Sequence, residues 1–368
     1  MVSDSPEAVR FLSQEAAIEA GATDANRCVE RMDEVFELYD DGRVVMGENG
    51  HYLHGHMTTF PDGLAEPDAK RLRAGSRFGA MPAYVGGDID AIGVKWYGSV
   101  TARPDEASAP DSDPILVLSD PDTGRPLTVM DGAVVSSMRT GATAALGARY
   151  LQGDRATTAT ILGPGSVGQA STIALDATLG SLAEIRVYHP DERKSVAFRD
   201  AMQERVGARI AATDSIRTAV RGADVTVAAA SGDSPPRIDA SWLDDDSTVI
   251  QLGDLRIDLG AFDTDRIFCD VRRHPLEFER QVGWEFTAAY AAAIESDEYP
   301  LALSDVRTLH ELASGTDTEP TAGRSILSSL GLPMEDVAWG AEVYRNATAE
   351  GLGQPLSFRS ESHFGTTY

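Results

Sequence analysis

Apolar and polar positions change rhythm along this chain, and each rhythm predicts a different architecture. Over about residues 5–46 the spacing is helical: "SPEAVRFLSQEAAIEA" and "DANRCVERMDEVFELYDDG" place Val29, Met32, Val35, Phe36 and Tyr39 on one face, with Gly42 positioned to end the run. From about 76 to 135, short apolar runs ("AIGVKWYGSV", "PILVLSD", "PLTVMDGAVV") are separated by turn residues, and "DPDTGRP" predicts a hairpin in an antiparallel or mixed sheet. "RPDEASAPDSDP" (103–114) reads as a loop, and "SSMRTGATAALGARYL" as a helix of small residues packed closely on a neighbour. Between 157 and 270, the continuous apolar runs "TATILG", "EIRVYH", "ADVTVAAAS", "TVIQLGD" and "DRIFCDV" are interleaved with helical stretches such as "SVGQASTIALDATLG". That alternation predicts a parallel sheet with helices on both faces, an α/β fold. The closing stretch "GRSILSSLGLPMEDVAWGAEVYRNATAEGLG" reads as helical, with Trp339, Val343 and Tyr344 on one face.

One motif changes the picture from folding to chemistry. In "ILGPGSVGQ" a strand runs into Gly163, Gly165 and Gly168, and the spacing G-x-G-x-x-G opens a helix inside a strand-helix-strand unit. In that setting the first glycine makes the turn, the second lets a pyrophosphate approach, and the N–H groups of Ser166, Val167 and Gly168 face the anion at the helix start. A dinucleotide is the expected ligand. At the end of the second strand, "VYHPDERK" offers His189 near the adenosine ribose, with Asp191 as a carboxylate suited to NAD and Arg193 and Lys194 as cations suited to the 2′-phosphate of NADP. The preference stays open at this point.

Composition narrows the partners. A chain of 368 residues with 42% hydrophobic content is large enough for two domains. Against 58 acidic residues stand 32 basic ones, a formal net charge of -26, which repels nucleic acid and anionic membranes. Self-repulsion of that size is relieved by salt, so a halophilic, high-salt cytoplasm is the expected environment. There is no apolar run long enough to cross a bilayer, and "MVSDSPEAVR" lacks the features of a secretory leader, which points to a soluble cytoplasmic protein. Cys28 and Cys269 are isolated and read as buried small hydrophobes. His51, His54 and His56 form an H-x-x-H-x-H run without a carboxylate at ligand spacing, and no metal is expected.

Lys95, in the apolar strand "GVKWYGS", and Arg139, in "SSMRTG", form a second constellation. A guanidinium clamps a carboxylate bidentately and a nearby ammonium holds a second oxygen or orients a water, as an amino-acid substrate requires. The succession "RFGAMPAYVGG", "GVKWYGSV", "DPDTGRPLTVMDGAVVSSMRTGATAALGARYL", "ILGPGSVGQ" and "GRSILSSLGLPMEDVAWGAEVY" resembles the ornithine cyclodeaminase and mu-crystallin family in content and order, over about 77–350. The resemblance implies a Rossmann-like doubly wound NAD(P)-binding domain (151–321) and an α+β substrate and homodimerisation domain. The latter is built from residues 1–150 and a returning C-terminal segment (322–368).

It further implies that Lys95 is catalytic, that Arg139 holds the substrate carboxylate, that Thr140 faces the cofactor phosphates, and that Ser231 approaches the nicotinamide. The implied activity is an ornithine cyclodeaminase-like conversion of an amino acid through an imine formed by hydride transfer. An amino-acid dehydrogenase, an imine or ketimine reductase, and a non-catalytic NAD(P)H-binding protein of the crystallin kind are the alternatives. Three departures lie in the substrate region. The family's "P-P-R" arginine has no counterpart between 44 and 70, leaving His51, His54 or His56 to replace it; "VTARP" stands where P-x-N is expected. The "G-A-D" aspartate is displaced into "LGDLRID", so that Asp254 is the expected proton shuttle and Asp258 a second candidate.

Overall fold

The computed structural model describes residues 8–47, 52–59, 77–99, 112–231, 234–295, 301–317 and 323–357. The chain begins with β1 (Ala8–Leu12), α1 (Gln14–Glu19) and α2 (Ala25–Asp40), followed by β2 (Val44–Val45), β3 (His56–Thr59), β4 (Arg77–Val85), β5 (Ala91–Ser99), β6 (Ile115–Ser119), β7 (Pro126–Asp131) and the long helix α3 (Gly132–Leu151). A second series follows with β8 (Thr158–Leu162), α4 (Ser166–Thr178), β9 (Glu184–Tyr188), α5 (Glu192–Met202), β10 (Arg209–Ala212), α6 (Ile216–Val220), β11 (Val225–Ala228), β12 (Thr248–Gln251) and β13 (Ile267–Cys269). The rest is α7 (His274–Gln281), α8 (Glu285–Glu295), β14 (Arg307–Thr308), α9 (Leu309–Ala313), β15 (Ser325–Ser328), α10 (Pro333–Glu350) and β16 (Gln354–Ser357).

Two sheets organise these elements. The first runs β16-β1-β7-β6-β5-β4-β2, with β3 also on β4. It is antiparallel except for the β1–β7 pair, hence mixed, and the β6–β7 hairpin closes over "DPDTGRP" as its turn residues predict. The second sheet, β10-β9-β8-β11-β12-β15-β13-β14, is parallel throughout and Rossmann-like, with its order reversing between β8 and β11. Its central strands β11, β12 and β15 are buried at every position, which explains their continuous apolar runs.

Two helical expectations are corrected. Residues 8–12 form β1, because β7 and β16, more than 100 residues away, take up its backbone groups. Residues 325–328 form β15 between β12 and β13, so the chain returns to the first sheet after Ser328, with α10, rather than at 322. The return is tied down by α10, which packs across β4, β5 and β6, and by the Trp339 indole, which donates to the Ala22 carbonyl at 3.1 Å.

Helix α3 joins the halves. A Cβ on Gly141 would lie 2.5 Å from the backbone of Ala170 and Ser171 in α4, so the two helices touch main chain to main chain. Strand β5 sets the other half of the site by period-two alternation: Lys95 faces inward at 5% exposure while Trp96 faces out at 48%.

Candidate functional site

The glycine motif builds a concave backbone surface at the point where the parallel sheet reverses its order, where ligands of such sheets bind. Gly163 has φ +109, and a side chain there would run into Ala230. A Cβ on Gly168 would sit 2.2 Å from the Gly163 carbonyl oxygen, so the start of α4 closes down on the turn. Gly165, by contrast, has no atom within 4 Å of its would-be Cβ, leaving open space above the first turn of α4, which no side chain caps. Ser166, Val167 and Gly168 form that turn. Beside it opens a cavity of about 510 Å³ lined by Gly163, Gly165, His189, Lys194, Ser231 and Arg237 among others. Thr140 is not part of this lining; its hydroxyl donates to the Ser136 carbonyl at 2.7 Å within α3.

The second strand's end separates the two kinds of ribose ligand. His189 Nδ1 accepts from the Asp191 backbone N–H at 2.9 Å, which orients the ring. Asp191 caps α5 and takes both its oxygens to the Arg193 guanidinium at 2.9 Å each, and neither residue lines the cavity. Lys194 and Arg237 do, and among the described residues no carboxylate joins them.

Between the first sheet and helices α3 and α10 lies the second cluster. Lys95 Nζ donates to Asp336 at 2.8 Å and to Ser136 Oγ at 3.0 Å. Arg139 donates through Nε to the other oxygen of Asp336 at 3.1 Å and through a terminal nitrogen to Glu335 at 2.7 Å. One buried carboxylate therefore joins the two cations. Glu335 also accepts from Thr143 at 3.2 Å and from the Leu332 N–H at 3.0 Å, closing the first turn of α10.

Burial sets the electrostatics of this cluster. It pushes Lys95 down to about 8, with Arg139 adding to the effect and Asp336 pulling the other way. Burial raises Glu335 to about 7 against the pull of Arg139. For Asp336 burial also acts upward, but Arg139 and Lys95 outweigh it and hold the carboxyl below its usual value. His54 is driven well below the ordinary histidine range by burial first, then by His274, Lys95 and Arg139, so its ring is neutral.

Lys95 and Arg139 are thus brought together as the sequence suggests. Asp254 and Asp258 stand elsewhere. Asp254 accepts from the N–H groups of Leu255 (2.9 Å), Phe286 (3.1 Å) and Glu285 (3.2 Å), which makes it a cap for α8. Asp258 accepts from Gly260 N at 3.0 Å in a turn. The carboxylates that do meet the cations, Asp336 and Glu335, went unnoticed in the sequence. The signal available was an adjacent acidic pair two residues after Pro333 in "GLPMEDVAWG", a stretch buried from end to end. Of the three histidines, His54 enters the cluster, His56 is exposed on β3, and His51 lies outside the described residues. Tyr97, one inward position beyond Lys95 on β5, also faces it, with its hydroxyl 3.4 Å from His54 Nε2.

A Rossmann-like half carrying a glycine-lined cavity, joined to a mixed sheet that supplies a buried lysine–arginine–carboxylate cluster, defines a class of two-part dinucleotide-fold subunits. The chain belongs to the ornithine cyclodeaminase/mu-crystallin family, whose profile matches residues 27–351. It is similar to the N-((2S)-2-amino-2-carboxyethyl)-L-glutamate dehydrogenase of Staphylococcus aureus, 24% identical over 294 residues, covering 79% of this chain and 84% of that protein. Among solved structures, the Δ1-pyrroline-2-carboxylate reductase of Thermococcus litoralis in complex with NADH and L-proline superposes with a TM-score of 0.76 at 18% identity, over 95% of this chain and 100% of that one. An archaeal alanine dehydrogenase dimer with bound NAD gives 0.75 at 22% identity, over 96% and 100%. At these identities the structural likeness shows the fold. Most of the named relatives are reductases and dehydrogenases.

Proposed function

We propose that this protein is an NAD(P)-dependent oxidoreductase that interconverts a small amino acid and its imine, rather than an ornithine cyclodeaminase. The carrying observation is the place of Asp254. The cyclodeaminase reading gives that aspartate the proton traffic of ring closure, yet three backbone N–H groups already occupy its oxygens. Lys95 and Arg139, coupled through Asp336, remain as the polar machinery. The bound coenzyme supplies or accepts the hydride.

In the reductive direction Arg139 takes the substrate carboxylate through Nη2, the nitrogen that neither Asp336 nor Glu335 engages and that stands 3.4 Å from Ser136 Oγ. The Lys95 ammonium, its value brought close to neutrality, delivers a proton to the imine nitrogen as the neighbouring carbon is reduced. Asp336 holds Lys95 and Arg139 in register, and Ser136 fixes the ammonium from the other side.

For the coenzyme, the cavity's cations Lys194 and Arg237, with no carboxylate beside them among the described residues, suit the 2′-phosphate of NADP(H) better than the bare ribose of NAD(H). The outer face of the first sheet, where exposed Trp96 and Ile115 sit opposite each other with Ile92 nearby, supports a homodimer through that face.

Titration with NADPH and NADH, followed by a panel of amino acids with the oxidised coenzymes, tests the reading. Reduced nicotinamide is expected to accumulate in step with product. A substrate that releases ammonia and cyclises with no net change in nicotinamide absorbance restores the cyclodeaminase.

A further inference from the structure

The family pattern has an arginine before β3 that this chain lacks, and a histidine was the expected replacement. His54 cannot take that role. Its Nδ1–H donates to the Gly331 carbonyl at 2.9 Å, and with the ring neutral its Nε2 is left as an acceptor, which repels a carboxylate oxygen.

A cation is nevertheless present, on another strand. In β4 the inward positions are Arg77, Gly79, Met81, Ala83 and Val85, and the register sets Met81 against Lys95, Gly79 against Tyr97 and Arg77 against Ser99. Lys95, Tyr97 and Arg77 therefore succeed one another along one inner face, with Arg77 about 13 Å of strand beyond the Lys95 level. Gly79 makes this possible: a Cβ there would lie 2.4–2.9 Å from Cε1, Cζ and the hydroxyl of Tyr97, and that hydroxyl stands beside the Arg77 guanidinium. The Tyr97 hydroxyl stands 3.4 Å from both His54 Nε2 and Met57 Sδ, and His54 Nδ1 donates to the Gly331 carbonyl, so the ring that borders Arg77 is held from its far side. Among the described residues no carboxylate pairs with Arg77, in a chain where acids outnumber bases 58 to 32.

We propose that Arg77 binds a second anionic group on the substrate, so that the protein acts on a dicarboxylic amino or imino acid, one acid group held by Arg139 and the other by Arg77. This rests on the oxidoreductase reading above. The hydrogen-bonded fork that a guanidinium makes with a carboxylate is worth roughly ten- to a hundredfold in affinity.

The test is calorimetric titration of the NADPH-loaded protein with 2-oxoglutarate and with its methyl-ended isostere 2-oxopentanoate. The unmodified protein is expected to bind 2-oxoglutarate at least about tenfold tighter. In Arg77→Gln that ratio falls toward one through loss of 2-oxoglutarate affinity, while Arg77→Lys retains part of it; NADPH binding reports that each variant is folded. Equal binding of the two acids by the unmodified protein, or an unchanged ratio in Arg77→Gln, overturns the assignment of Arg77. Failure to bind either reduced coenzyme overturns the oxidoreductase reading itself, and the two failures are thereby told apart.

Discussion

The glycine-lined cavity and the lysine–arginine cluster are built from different materials. The first is made of backbone: three glycines within six residues, a helix start without a side-chain cap, and the ends of two parallel strands. The second is made of side chains from β5, α3 and α10, with Asp336 lying 241 residues from the lysine it binds. A backbone site is written in one contiguous stretch because local conformation is the function. A side-chain site is written only in the fold, because its members become neighbours after the sheet and helices have packed.

That contrast can be broken at its most sensitive point by Lys95→Met, which keeps the length and burial of the side chain and removes the proton donor. Turnover is expected to fall about a hundred- to ten-thousandfold with NADPH affinity retained, as measured by steady-state rates and fluorescence titration. Full activity in that variant would leave the cluster a structural ion pair. Next in size, Asp336→Asn leaves two buried cations short of their shared carboxylate and should cost about 3–5 kcal/mol in denaturant unfolding. Asp254→Ala should cost only about 1 kcal/mol, the worth of a helix cap, with turnover preserved.

The backbone site is sharpened by two methyl groups. Gly168→Ala places a Cβ against the Gly163 carbonyl and is expected to lower stability by about 1–3 kcal/mol. Gly165→Ala meets nothing within 4 Å, so it should leave the melting temperature alone and weaken NADPH binding. A drop in melting temperature for Gly165→Ala would mean that the open space is filled in the native fold.

A smaller effect is expected from pH. Lys95 is protonated below about 8 and loses its proton as the pH rises through that value, so kcat/KM for reduction should be flat on the acid side of this step and decline above it. The unfolded chain keeps the proton up to 10.5, so this lysine makes the folded state relatively more stable as pH rises between the two values. Removing Asp336 takes away the carboxylate that raises Lys95, and should move the alkaline limb to lower pH. The smallest change is a rise of a few degrees in melting temperature from dilute buffer to molar KCl, as salt screens the net charge of -26.

What could be read beforehand follows the same division. The crossover unit, the hairpin and the close-packed α3 were legible because each is decided by residues near one another. Strand β1 was hidden because Ala8–Leu12 reads as a helix until β7 and β16 arrive, and β15 because "SILS" is apolar enough for either a buried helix or a buried strand. Lys95 and Arg139 stood out as unusual cations in apolar elements. Their counterion did not, because an acidic pair at a helix start is ordinary in an acidic chain until both members prove buried. Asp254 looked functional as the displaced counterpart of the family's G-A-D aspartate, and only the backbone of α8 shows what its oxygens do.

The direct backbone contact of α3 with α4 at Gly141 bears on how such a protein would open. A helix that carries Arg139 and leans, two residues further on, against the helix that begins at the glycine motif behaves as a spacer of fixed length. Wholesale hinging of one half away from the other would have to prise that seam apart. Entry and exit are accordingly expected to depend on movement at the rim, while the separation of the glycine-lined cavity from the lysine–arginine cluster is expected to be set when the chain folds.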